Sequence, residues 1–327
     1  VRVRLFVDSC HPKAPTWRLN MANSPSLRDL DSEEGMPEYP DLYRHENIRV
    51  WHKHGEATPA VPRYVGVELE IRDFLRYPAE PEITAFHKVI DKWHGSVIQD
   101  HRNLEIRLAP ARGKAFSEQV QEVLDAVQVW RPVIAAQPPC GYHAHVDASD
   151  LTFAKLGGVM LAYSKQEPLL LKTQPFARIN GKFCKPTGSD LGEGWSETRP
   201  DKASALFKEK AEQVVNPAEV NGNGLVAAQR YKAVNFAAWY KYGTIEIRLH
   251  EGTVNAEEIV RWGEFWAQFV DYAGTTPIPE IKRLRRSLTA LRTVIQNPAV
   301  DYVAGRIQKY KAQWTPERLE AVMPKAA

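Results

Sequence analysis

Tyr64-Val65-Gly66-Val67-Glu68-Leu69-Glu70-Ile71-Arg72 alternates apolar and charged side chains from Val67 onward. Successive side chains of a β-strand point to opposite faces, so Val67, Leu69 and Ile71 share one face and Glu68, Glu70 and Arg72 the other. Taken alone, the run reads as an amphipathic strand with one wet side. Carboxylates two residues apart on one strand face repel each other unless a cation or solvent lies between them.

The alternation recurs. Asn103-Leu104-Glu105-Ile106-Arg107-Leu108 sets Glu105 and Arg107 against three aliphatics. Tyr142-His143-Ala144-His145-Val146-Asp147 places two imidazoles and a carboxylate on one side, and Thr244-Ile245-Glu246-Ile247-Arg248-Leu249-His250 places Glu246, Arg248 and His250 there. Ordinary wet faces carry Thr, Ser, Lys and Gln, whereas these four carry side chains that bind hard cations and phosphates. The expectation is one polar sheet face built as a site.

Composition sets the bounds. With 327 residues, 43% hydrophobic and 25% charged, the chain reads as a globular protein with a sizeable core. Lys plus Arg number 43 against 40 Asp plus Glu, so no whole-chain field argues for nucleic acid or a membrane surface. Cys10, Cys140 and Cys184 are too few and too scattered for a disulfide framework or a zinc ribbon and suit a reducing cytoplasm. No apolar run approaches membrane-spanning length, and Val1 to Val7 alternates Arg with aliphatics, unlike a signal peptide.

Along the chain, residues 1–60 read as an extension, partly loop, residues 61–275 as the main domain, and 276–327 as a C-terminal helical segment. Helices are expected over Pro81 to His94, from a Ser117 cap, from a Thr152 cap towards Leu171 with Pro168 disturbing it, over Asp201 to Val214, and from an Asn255–Glu258 capping box. Another is expected from Pro279, with Ile281, Leu284, Leu288, Leu291 and Ile295 on one stripe and Lys282, Arg283, Arg285, Arg286 and Arg292 on a basic face. Arg230 to Trp239 reads as a strand containing Asn235. The Gly- and Pro-rich run from Gln174 to Pro200, with Arg178, Lys182 and Lys185, is long enough to be a lid.

The order of these motifs resembles the amidoligase family of the glutamine synthetase and glutamate-cysteine ligase superfamily. The likeness is carried by Gly66-Val67-Glu68-Leu69-Glu70, Gly141-Tyr142-His143-Ala144-His145-Val146, Arg230 to Asn235, and Thr244-Ile245-Glu246-Ile247-Arg248 with Gly252-Thr253-Val254-Asn255. It runs from about Tyr64 to Tyr272 and omits the first 60 residues and the tail after Gly274. The resemblance implies an α+β fold, a curved antiparallel sheet of about six strands with helices packed behind it, like a glutamine synthetase catalytic domain. It implies ATP and about two or three magnesium ions, with manganese as a substitute, on the polar face.

By the same resemblance Glu68, His143 and Glu246 hold the metal on the ATP phosphates, and Glu70 and Glu105, with Asp100, hold one nearer the acceptor carboxylate. His145 approaches the nucleotide phosphates, and Arg248 and Arg230 neutralise charge on the transferred phosphoryl group; beside the resemblance, Arg178 and Lys182 of the expected lid are candidate catalytic and nucleotide contacts, and Asn235 contacts a ligand or satisfies neighbouring backbone. The segment Gln99-Asp100-His101-Arg102-Asn103 departs from the family's Gly- and Ser-rich pattern, which leaves Glu105 the firmer ligand. The implied reaction joins an amino-acid or peptide carboxylate to an amine or ammonia through an acyl phosphate.

Two alternatives stand beside it. One is a metal-dependent hydrolase built on His143-x-His145 and carboxylates. The other is a non-catalytic binding module using the basic helix, whose affinity would be steep in salt. Cys140, Trp262 and Trp266 read as core, His101 and His250 as surface histidines, and Asp147 as a site residue or the cap of the Ser149–Asp150 turn.

Overall fold

The alternation around Glu68 becomes a strand, β1 (Val65–Ile71), in a computed structural model that describes residues 52–76, 78–100, 103–134, 140–182, 184–187 and 231–323. Residues 1–51 of the expected extension, the helix at 201–214 and Arg230 lie outside the described residues.

In chain order, β1 is followed by β2 (Asp73–Phe74), α1 (Glu80–Lys92), β3 (Ser96–Asp100), β4 (Asn103–Ala111), α2 (Gly113–Gln128), β5 (Pro132–Val133), β6 (Tyr142–Asp147), α3 (Phe153–Leu170) and α4 (Phe176–Ile179). After them come β7 (Val234–Asn235), α5 (Ala237–Tyr242), β8 (Thr244–Ile247), α6 (Ala256–Thr275), α7 (Ile278–Arg283), α8 (Leu288–Leu291), α9 (Asn297–Tyr310) and α10 (Pro316–Val322). Six strands form one open antiparallel sheet in the order β3-β4-β1-β6-β8-β7, and β2 pairs with β5 separately. The fold class is α+β, as the resemblance implies.

The apolar side of the sheet is the core. Val67, Leu69, Ile71, Ile106, Ala144 and Ile247 are buried, and Phe116, Val120 and Val123 of α2 with Ile259, Trp262 and Trp266 of α6 are buried with them. Tyr142 belongs to this side and donates its hydroxyl to the Ile259 carbonyl at 3.0 Å. Close approach of α6 to α2 requires Gly263, since a Cβ there would stand 2.5 Å from the Phe116 ring. The caps expected at Thr152 and Asn255 form, each side chain accepting from the N–H three residues on. No helix among the described residues is long and apolar enough to cross a membrane.

Several expectations are corrected. α2 begins at Gly113, not at a Ser117 cap; Gly113 has φ +57°, and the Ser117 hydroxyl donates to the Lys114 carbonyl within the helix. The strand read from Arg230 to Trp239 is only Val234–Asn235, because α5 follows and Trp239 Nε1 is drawn to the Ala148 carbonyl at 2.9 Å. The single helix from Pro279 is broken into α7 and α8, with extended backbone at Leu284 (ψ 114°). Side chains and carbonyls of α3 hold the break: Gln166 donates to the Arg285 carbonyl, and Arg286 donates to that of Lys165. Ile281, Leu291 and Ile295 remain buried, so the apolar stripe survives while the continuous basic face does not. Arg292 pairs with Asp301 at 2.7 Å.

β8 ends at Ile247, and the chain turns before His250. His250 is fully buried instead of lying at the surface, packed near Tyr142 and Trp262 and hydrogen-bonded through Nε2 to the Tyr302 hydroxyl at 2.8 Å.

Candidate active site

Strand register brings the polar residues together. Residues directly opposite one another on neighbouring strands share a face, and here Glu68 lies opposite both Arg107 and His143, Glu70 opposite Glu105, and Glu246 opposite both His145 and Asn235. Side chains far apart in sequence thus converge on one face of β4, β1, β6, β8 and β7.

His143, 4% exposed, sits among three carboxylates: its Nδ1 is 3.3 Å from Glu68 Oε2 and 3.9 Å from Glu246 Oε1, and its Nε2 is 3.9 Å from Glu70 Oε1. His145 Nε2 is 3.5 Å from Glu68 Oε1, and its Nδ1 faces Thr244 Oγ1 at 3.2 Å. One ligand atom from each of Glu68, His145 and Glu246 can be chosen so that all lie within 4.8 Å of one another. Asn235 donates to Glu246 Oε2 at 2.7 Å, and Arg248 Nη1 pairs with Glu246 Oε1. Arg107 Nε pairs with Glu105 and stands 3.4 Å from Glu68 Oε1.

The local sequence explains how these groups are presented. Gly141, which precedes β6, donates its N–H to Glu70 Oε2 at 2.6 Å, and a Cβ on it would come within 2.7 Å of both His143 Nε2 and Arg178 Nη2. A residue without a side chain is what that approach allows. Arg178, 4% exposed, donates to the Cys140 carbonyl at 3.3 Å and the Arg248 carbonyl at 2.8 Å, clamping the main chain on both sides of the site.

Electrostatics follow from the packing. Burial pushes the Glu68 carboxyl up, but the His145 and His143 imidazoles outweigh burial and hold it well below the usual carboxylate range. Glu246 behaves alike, with burial opposed by His145, Arg248 and His143. Burial and then the charge of Glu68 push Glu105 up despite Arg107 beside it. Burial draws His145 down, and Glu68 with Glu246 more than restores it, leaving it raised.

These residues fit a hard cation. The donor set is dominated by carboxylate oxygens, which magnesium prefers over imidazole-rich sets. His145 Nε2 is buried among the carboxylates, 3.5 Å from Glu68 Oε1, while its other nitrogen meets the Thr244 hydroxyl, so Nε2 is the ring atom placed to reach an ion there.

Of the residues singled out from sequence, Glu68, Glu70, Glu105, His143, His145, Asn235, Glu246 and Arg248 are brought together. The tightest set contains His145, assigned by resemblance to the nucleotide, alongside Glu68 and Glu246, while His143 stands between them and Glu70. Asp100 is placed by its backbone, paired opposite Asn103 at the end of β3. Lys182 is exposed, its ammonium 5.6 Å from the Tyr231 ring. The described part of the expected lid is packed, not a free flap: Gln174, Ile179, Cys184 and Thr187 are buried, and Lys185 exchanges backbone hydrogen bonds with Tyr231 and Ala233. Asp147 accepts from the Ser149 N–H and hydroxyl, the turn-capping role, and pairs with Lys53. Sequence reasoning missed Thr244, although it sits two residues before Glu246 on the same strand face, and placed Arg107 on the polar face without giving it a role.

No curated protein matches the chain. A family model described as putative amidoligase enzyme matches residues 97–270, from β3 through most of α6. β1 precedes the match, so Glu68 and Glu70 join the site by strand pairing and not by the match. Because the match covers more than half of the 327 residues and contains four of the five strands that build the polar cluster, the chain belongs to the amidoligase family.

Proposed function

We propose that the protein is an ATP- and magnesium-dependent ligase that joins a carboxylate to an amine or ammonia through an acyl phosphate. The observation that carries this reading is the convergence of four glutamates, Glu68, Glu70, Glu105 and Glu246, with His143 and His145 on one sheet face. Family membership supports a ligase with carboxylate and amine substrates in general terms.

In the proposed reaction a substrate carboxylate oxygen attacks the γ-phosphorus of ATP and the bond to ADP breaks. The amine nitrogen then attacks the acyl carbon, phosphate leaves, and the nitrogen loses a proton. Phosphoryl transfer asks little covalent help of the protein; it asks for in-line positioning and positive charge on the phosphate oxygens. Magnesium held by Glu68, Glu246 and His145, and by Glu70 with Glu105, would supply that charge. Arg248 adds a guanidinium at the same edge, raised in pKa because the Glu246 carboxylate outweighs burial, so it stays charged. Thr244 fixes the His145 ring, Asn235 fixes one oxygen of Glu246, and Arg178 holds the main chain beneath Arg248.

The hydrolase alternative would favour an imidazole-dominated set around a metal-bound water, and this face is carboxylate-dominated. Nucleotide dependence separates the two. Phosphate release from ATP with magnesium, measured against pools of amino acids and peptides with and without ammonia, is expected to rise only when carboxylate, amine and magnesium are all present. Release of amine or acid from amide substrates without nucleotide would overturn the ligase reading.

A further inference from the structure

A second cluster of metal-binding side chains lies away from the carboxylates. His52-Lys53-His54 enters the described structure beside the C-terminal end of α1, where His94 leaves the helix. His54 is pinned by its backbone: its N–H donates to the Pro110 carbonyl at 3.0 Å, and its carbonyl accepts from Arg112 at 3.0 Å. His94 is fixed differently, in the left-handed region at φ +50°, with Gly95 N–H closing on the Ile90 carbonyl at 2.8 Å. Glycine or asparagine usually ends a helix in that conformation. An imidazole there is held in a definite direction at some backbone cost.

Nδ1 of His94 stands 3.3 Å from Nε2 of His54. Two imidazole nitrogens bound to one zinc at about 2.05 Å and the tetrahedral angle are separated by about 3.3 Å. His52 stacks on His94 with ring centroids 3.9 Å apart and planes 14° from parallel, and Trp93 packs its edge against His54. Among the described residues no carboxylate forms an ion pair with any of the three histidines, so the donors are nitrogen only. Such a set favours zinc, nickel or copper and disfavours magnesium, the reverse of the sheet-face cluster.

We propose that His54 Nε2 and His94 Nδ1 chelate a divalent transition metal, with water completing its shell and His52 holding the His94 ring by stacking. The bound ion would clip the segment around His54, which runs beside the end of β4, to the loop that enters β3. The site shares no residue with the proposed ligase centre, so either can stand without the other.

The test uses the whole chain, stripped with chelator and then kept in excess magnesium. Zinc is titrated against a chromophoric competitor, and cupric ion is added in parallel for electron paramagnetic resonance. Wild type and Glu246→Gln are expected to bind zinc through the same step and to show nitrogen couplings to copper. His54→Ala and His94→Asn, the latter chosen because asparagine tolerates the left-handed backbone, are expected to lose both signals while keeping the wild-type circular dichroism spectrum. His52→Ala should weaken zinc binding less than tenfold. Retention of the zinc step and the copper couplings in both His54→Ala and His94→Asn would overturn the proposal, as would their absence from the wild type.

Discussion

Replacing Glu246 with glutamine separates the two roles the structure gives that residue. Glu246 is 6% exposed, pairs with Arg248, and accepts from Asn235 at 2.7 Å. Glutamine keeps the shape and one carbonyl oxygen for Asn235 but removes the charge. Breaking a buried pair by neutralising one partner costs about 3–5 kcal/mol, and the retained amide bond with relief of repulsion from Glu68 returns part of it, leaving a net loss of about 2 kcal/mol. At about 2–4 °C per kcal/mol for a domain of this size, the melting temperature in chelator should fall by roughly 5 °C. The sequence alone suggests the opposite sign, since crowded carboxylates ought to gain from losing one. Arg107, Arg248 and the two imidazoles are what reverse it, because each sits against a glutamate.

The second consequence concerns ligand. Binding at a hundredfold excess over Kd stabilises a protein by about 2.7 kcal/mol, so magnesium with ATP should raise the wild-type melting temperature by several degrees and leave Glu246→Gln nearly unmoved. The assay is thermal unfolding followed by circular dichroism, in chelator and in magnesium-ATP. A variant that melts with the wild type in chelator and shows the same upward shift with magnesium-ATP would refute both the pairing and the ligand assignment.

Thr244→Val should leave the fold intact and weaken magnesium-ATP binding by about 10- to 100-fold, because the Thr244 hydroxyl is what holds the His145 ring in place; calorimetry reads this directly. Arg248→Lys is expected to lower turnover much more than ATP affinity, since lysine keeps the charge and loses the planar fork; steady-state kinetics with a nucleotide titration decides it, and a stability loss with turnover per folded molecule preserved would remove Arg248 from the chemistry. Burial, then Arg306 nearby, hold His250 well below its ordinary value of 6.5, so the folded protein keeps it neutral while the unfolded chain takes up a proton. Its contribution is intact above about pH 6.5 and is lost as pH falls from there towards the folded value, at no more than about 1.4 kcal/mol per pH unit. Urea titrations between pH 7.5 and roughly pH 5 should therefore show a flatter stability profile for His250→Asn than for wild type.

The sheet was legible because alternation is a local signal that survives in four separate runs, and the antiparallel pairing of β1, β4, β6 and β8 places their polar residues on one face. What alternation does not specify is register. Only the pairing of Glu246 with His145, and of Glu68 with His143, reveals that His145 closes the tightest cluster while His143 lies between carboxylates. His250 continues the odd-and-even pattern of β8, yet the strand ends three residues earlier and the imidazole turns into the aromatic core. The break between α7 and α8 was illegible for a related reason: the apolar spacing is helical, and bonds from side chains to main-chain carbonyls that tie it to Lys165 and Gln166, more than a hundred residues away, decide the local path. Arg178 shows how type alone misleads, since an arginine in a Gly- and Pro-rich run suggests a mobile phosphate contact and here is buried against two main-chain carbonyls.

A calorimetric titration of the whole chain with ATP, in magnesium and again in chelator, decides whether the sheet face is a metal-nucleotide site. The four glutamates of the sheet face repel a triphosphate unless cations intervene, so saturable binding is expected with magnesium or manganese and none without. Equally tight ATP binding in chelator, or no binding under any divalent metal, would contradict it.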